Sequence, residues 1–180
     1  MSAFFDEKET TMRRLLNDLH VFDLIWDGPF TLEQVLATTG GHECGIYAVY
    51  GTHNVMGTDA LLYLGAAESS YANRFSSHKE RWMDYEPGEQ KIYLGRVSGT
   101  ETVSEADYPV WTSMIFDAEA LLIYHCSPPY NSSGVAVLRN MPLSLVVNHG
   151  RRHRLPALVG EIYRLAPYYE NLKPLGVVHQ

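Results

Sequence analysis

Two β-forming segments separated by a run of turn formers constrain this chain more than any other feature. Gly45 to Tyr50 is dominated by β-branched and aromatic residues and reads as a strand. Leu61 to Leu64 reads as a second strand. Gly51 to Asp59, between them, carries Gly, Thr, Asn and Asp and reads as a loop. The two strands are therefore expected to pair antiparallel across that loop. Ile92 and Leu94 suggest a third strand, and Leu143 to Val147 a fourth that ends at Asn148.

Helical patterns surround these segments. Met12, Leu15, Leu16 and Leu19 recur at helical spacing, which predicts an amphipathic helix over about 7–24. Thr31 with Gln34 has the form of a capping box opening a short helix that contains Leu32, Val35 and Leu36, with Gly40-Gly41 ending it. Ser70 caps a segment running to about Tyr85, with Tyr71, Phe75, His78 and Trp82 on one stripe. A longer helix has Pro109 in its first turn and Trp111, Ile115, Ala118 and Leu122 as its buried stripe, and Pro128-Pro129 forbids its continuation. A last helix is predicted from about Pro156 to Leu165. The order implies an α+β fold with a small, mainly antiparallel three-stranded central sheet flanked by helices. A core over residues 44–133 would carry helical extensions at 1–43 and 134–180, all within one compact domain.

A length of 180 residues suits one domain with a core of its own. No apolar run reaches membrane-spanning length and residues 1–30 lack the apolar block of a secretory signal, so the expectation is a soluble cytoplasmic protein. The net charge of −7 argues at first against nucleic acid as a partner. Its distribution says more. Residues 136–180 hold six basic and two acidic side chains, densest in Arg151-Arg152-His153-Arg154. A phosphate backbone would be drawn to that end, although a solvated basic turn reads the same way.

The candidate chemistry lies in an ordered set of residues. Gly45-Ile46-Tyr47 opens one strand and Tyr63-Leu64-Gly65 closes the next. Each triplet alone reads equally as a strand carrying one core aromatic. Arg74 and His78, four apart on the predicted helix, project from one side. Glu119, Leu122, Ile123, Pro128, Tyr130 and Asn131 follow.

In this order and spacing, over roughly residues 44–133, the chain resembles the GIY-YIG nuclease superfamily, of the restriction or repair type. That resemblance implies a metal-dependent endonuclease that hydrolyses phosphodiester bonds, more readily of DNA than of RNA, leaving a 5′-phosphate and a 3′-hydroxyl. It implies that Glu119 binds one Mg²⁺ or Mn²⁺ ion, hard cations that prefer oxygen. Arg74 would hold the scissile phosphate. Tyr47 or Tyr63 would act on the attacking water as general base or orienter. His78 would share the site, with a core or boundary histidine as its rival, and Asn131 would be catalytic or would hold backbone. Where many members place Lys after the second triplet, Ala66-Ala67 stands here.

The chain has no length for a separate DNA-binding module. Arg139, Arg151, Arg152 and Arg154 are therefore the expected nucleic-acid contacts, as in restriction-type members. A homodimer would let two single-nick sites cut both strands, but no feature of the sequence specifies one. The competing reading is an inactive nucleic-acid-binding or scaffold protein that keeps the fold. A zinc hydrolase built on His42, Cys44, His125 or Cys126 has too few ligands and no standard spacing.

Overall fold

The computed structural model describes residues 19–37, 45–68, 70–79, 88–98 and 108–160. In chain order these form β1 (His20–Phe30), α1 (Leu32–Leu36), β2 (Gly45–His53), β3 (Gly57–Ala67), α2 (Tyr71–Lys79), β4 (Lys91–Val97), α3 (Tyr108–Cys126), β5 (Ser144–Gly150) and β6 (Leu158–Gly160). The strands make one six-stranded sheet in the order β3-β2-β4-β1-β5-β6. β1 and β5 run parallel and every other neighbouring pair is antiparallel.

This corrects the expected three-stranded sheet between helices. The sheet is mixed, twice as wide, and curves as a half-barrel with few helices. The N-terminal extension is not all helical either, because residues 20–30 form a strand with neighbours on both sides. From Phe22 onward the hydrophobic period is two: Phe22, Leu24 and Trp26 are buried while Val21, Asp23, Ile25 and Asp27 face outward. Ile25 places an apolar residue on the outer face, which blurs that alternation beside the helical spacing upstream. The predicted helix at 156–165 is likewise overturned over residues 158–160, which form β6. Residues 7–18 and 161–165 of the two predicted helices, and Gly40-Gly41, lie outside the described residues. The loop expected over 51–59 narrows to a tight turn, since β2 continues to His53 and β3 begins at Gly57.

Helices cover the two faces of the sheet unequally. On one side α3 lays Ile115, Ala118, Leu121 and Leu122 against Ile46, Ala48, Leu64, Phe22, Leu24, Trp26 and Val146. On the other, α1 and α2 bring Val35, Tyr71 and Phe75 against Tyr47, Val49, Ile92 and Leu94. β2 is thus buried on both faces, which is why its side chains are apolar in near-continuous order rather than alternating. The capping box at Thr31 forms as predicted: Thr31 Oγ1 accepts from the Gln34 N–H, and Gln34 Oε1 accepts from the Thr31 N–H.

A buried polar anchor fastens β1 to β5. The Trp26 indole N–H donates to Asn148 Oδ1 at 2.8 Å, and the Asn148 amide donates to the Pro156 carbonyl at 2.7 Å. Trp26→Ala therefore removes a buried ring and strands the asparagine oxygen. The expected loss of stability is about 3–5 kcal/mol, read from urea unfolding.

Candidate active site at the edge of the sheet

β3 is an edge strand, so every second residue turns its N–H and C=O away from β2. Left buried and unpaired, these groups would each cost roughly 1–3 kcal/mol. The chain satisfies them with side chains and one loop. Asn131 Oδ1 accepts from the Leu64 N–H at 3.0 Å, and Asn131 Nδ2 donates to the Leu64 carbonyl at 2.8 Å. The Tyr130 N–H donates to the Leu62 carbonyl at 3.1 Å. The Ala66 N–H donates to the carboxylate of Glu119. The Asn131 amide thus takes the place of a neighbouring strand residue, and Glu119 continues the same row.

On the α1–α2 face of the sheet, Tyr47 is fully buried and ringed by aromatics. Phe75 lies at 4.7 Å between centroids, Tyr63 stacks at 6.0 Å, and Tyr71 meets it edge-on at 6.5 Å. The Arg74 Nε–H donates to Tyr47 Oη at 3.3 Å, while Arg74 itself stays exposed to solvent. Tyr63 is half-buried and is the more accessible of the two phenols.

The glycines of the two triplets have a steric reason. A Cβ on Gly65 would stand 2.3 Å from Tyr47 Oη, and one on Gly45 would stand 2.2 Å from Tyr71 Oη. Each glycine is the slot for a tyrosine hydroxyl. Tyr71 Oη then donates to the Gly95 carbonyl at 3.0 Å, holding α2 against β4. Tyr71 and Phe75 stood on the predicted helical stripe, but nothing in the sequence links them to Gly45 or Tyr47.

Electrostatics couple the groups. Burial pushes the Tyr47 phenol far above its usual value, Tyr63 and Glu119 raise it further, and the Arg74 hydrogen bond opposes. Tyr47 is thus a neutral phenol at physiological pH. Burial also raises the Glu119 carboxyl; the Ala66 N–H, Arg74 and Arg139 oppose, and Glu68 adds a like charge. For Arg74, partial burial works to lower the pKa, but the Tyr47 hydrogen bond together with Tyr47, Tyr63 and Glu119 outweighs it, so the guanidinium stays firmly charged.

Of the residues singled out in the sequence, Tyr47, Tyr63, Arg74 and Glu119 share this edge and Asn131 braces it. His78 is placed only as backbone of α2, and its side chain lies outside the described residues. Arg139 is also brought here, ion-paired with Asp117 one half-turn before Glu119 on α3. Nothing in the sequence signals that Glu68 lies near Glu119 or that Asp117 pairs with Arg139.

The arginine cluster lies elsewhere. Arg154 pairs with Asp59 at 3.1 Å, and His153 meets the same carboxylate at 2.9 Å. Arg152 turns back onto the Leu155 carbonyl. Arg151 reaches Asp27 at 3.7 Å. Asp59 is seven residues from Ala66 on β3, which is roughly 20 Å along a strand.

Among the described residues no group of three or more His, Cys, Asp or Glu side chains is placed to hold a metal ion. The donor set fits only a cation that takes a single protein carboxylate and keeps most of its waters, as Mg²⁺ does. No described helix is long and apolar enough to cross a membrane.

Two substitutions separate bracing from chemistry. Gly65→Ala drives a methyl into the Tyr47 hydroxyl and is expected to cost about 1–3 kcal/mol. Asn131→Ala leaves both Leu64 groups unpaired and is expected to cost about 1–3 kcal/mol in chemical unfolding. Searches of protein-family models, curated proteins and solved structures found no match to this chain.

Proposed function

We propose that the protein is a divalent-metal-dependent endonuclease that hydrolyses phosphodiester bonds in DNA. One observation carries this reading: an exposed arginine braced by a buried tyrosine, a second and more accessible phenol, and a half-buried carboxylate meet at one edge of the sheet. Charge of both signs, half-withdrawn from water at one edge of the sheet, suits phosphoryl chemistry.

Arg74 binds a non-bridging phosphate oxygen, and its fixed fork offsets the charge that grows in the transition state. Tyr47 is a positioning residue: its oxygen accepts from Nε and leaves the outer guanidinium N–H groups for substrate. Tyr63 orients the attacking water through its hydroxyl. That water attacks phosphorus in line, its O–P bond forming as the P–O3′ bond breaks, and its proton ends on the leaving oxygen. Glu119 is the residue to hold Mg²⁺ or Mn²⁺, one ion per site, and such an ion supplies Lewis-acid charge at the phosphate. Glu119 spends one acceptor position on the Ala66 N–H, which fixes its carboxylate and leaves other lone pairs for the ion.

Plasmid cleavage in Mg²⁺ or Mn²⁺ tests this reading. Wild type is expected to nick or cut, while Arg74→Ala and Glu119→Ala each lose about 10²-fold or more. No cleavage by wild type, with duplex binding retained, would place an inactive binding module of this fold first.

The raised Glu119 pKa makes two further outcomes measurable. Metal binding needs the carboxylate, so activity is expected to fall, on acidification, at a pH above the ordinary glutamate value of about 4.3. A folded-state pKa above the unfolded one means that the stabilisation is present at low pH and is lost as pH rises through the folded value. At pH 7 the ionised Glu119 therefore weakens the fold. Glu119→Gln, which keeps the acceptor for Ala66, is expected to melt at or above the wild-type temperature while losing cleavage.

The arginine cluster, including Arg151 and Arg152, is proposed to contact phosphates outside the cutting site. Replacing Arg151, Arg152 and Arg154 together with alanine is expected to flatten the salt dependence of duplex binding. An unchanged slope would remove these residues from the interface.

A further inference from the structure

The turn joining β2 to β3 exposes two adjacent apolar side chains, Val55 at 88% and Met56 at 57% of their full surface. The turn is built rather than loose. His53 Nδ1 accepts from the Val55 and Met56 N–H groups at 3.3 and 3.2 Å, and its ring packs edge-on against Tyr130 at 5.7 Å. Tyr130 is in turn hydrogen-bonded to the β3 edge at Leu62. Three residues past Met56, Asp59 gathers Lys91 at 3.0 Å, Arg154 at 3.1 Å and His153 at 2.9 Å. One carboxylate thus faces two full cations and an imidazole, leaving positive charge in excess. The Lys91 and Arg154 side chains keep 47% and 64% of their surface.

We propose that this hairpin tip is a duplex-DNA contact, with Val55 and Met56 wedged into the minor groove and Lys91 and Arg154 on the flanking phosphates. A pair of apolar side chains on a rigid turn, beside excess positive charge, is the chemistry of a wedge that opens a base step and bends the duplex. The positive charge selects a polyanion over an apolar protein face as the occupant. The proposal rests on the nuclease reading and extends it. Tyr47 lies eight residues from Val55, along β2 and into the turn, roughly 25 Å or about seven base pairs at 3.4 Å each. The tip would therefore grip the duplex at a fixed distance from the bond that is cut.

The test compares wild type with the double variant Val55→Ser, Met56→Ser on a fluorescent 30-base-pair duplex carrying a dye pair that reports bending. Both positions are exposed, and equal thermal melting of the two proteins verifies that the fold is intact. Expected is about tenfold weaker duplex binding by the variant, with loss of bending. Equal affinity and equal bending overturn the proposal. So does sedimentation showing that the substitutions only dissociate a dimer while the affinity of each chain for the duplex is unchanged. The two readings fail separately. A wild type that binds and bends through the tip but never nicks sustains the tip and sinks the nuclease. A wild type that nicks, with a variant that binds, bends and cuts identically, sinks the tip alone.

Discussion

An edge strand with half its main chain facing away from the sheet sets the terms for this molecule. The outward groups of Leu62, Leu64 and Ala66 need partners, and the chain supplies them from the segment that includes α3 and the turn after it. The Asn131 amide presents an N–H donor and a carbonyl acceptor to Leu64 as a peptide group would, so it completes the ladder in place of a strand residue. The same requirement brings a carboxylate to the Ala66 N–H. An edge is also the only place in a sheet where groups from opposite faces can meet. Arg74 and the tyrosines come from one face, Glu119 comes from the helix on the other, and the interior of the sheet would have kept them apart.

Steric fit keeps that meeting in place. Gly65 and Gly45 leave room for the hydroxyls of Tyr47 and Tyr71, so a strand-to-strand contact and a helix-to-strand contact are set by two missing side chains. The arrangement is electrostatically costly. Burial works against the charge of Glu119, whereas Tyr47, Tyr63 and Glu119 hold the Arg74 guanidinium firmly charged. A fold selected for stability alone has no reason to hold a carboxylate with a raised pKa beside an exposed guanidinium. Such pairs gather at sites that act on charged ligands.

The rest of the sheet separates charged groups in space. β1 enters between β4 and β5, and the Trp26–Asn148 hydrogen bond fastens the far half of the sheet to the near half. That far half carries the segment from Arg151 to Arg154, which folds back onto Asp59 at the hairpin end of β3. The positive charge that the sequence concentrates near its end is thus delivered to the opposite end of the strand that holds the candidate site.

Much of the candidate site was legible in the chain, because it rests on local patterns. The β-rich segments around Tyr47 and Tyr63, the helix bearing Arg74, the long helix bearing Glu119 and the capping box at Thr31 are all set by residues a few positions apart. Strand pairing across 45–67 follows from the same local chemistry, but the turn is shorter than the loop expected over 51–59. What the sequence could not show depends on partners far along the chain. Residues 20–30 become a central strand because Trp26 finds Asn148, 122 positions away, and because an edge of β4 is free to receive it. Glu68 and Arg139 enter the field of Glu119 only once α3 lies along the sheet edge. Asp59, unremarkable in the sequence, gathers Lys91, His153 and Arg154 because the sheet brings two distant segments to one carboxylate. Local periodicity and turn chemistry determine elements. Which elements share an edge, and so which charges meet, is decided only by packing.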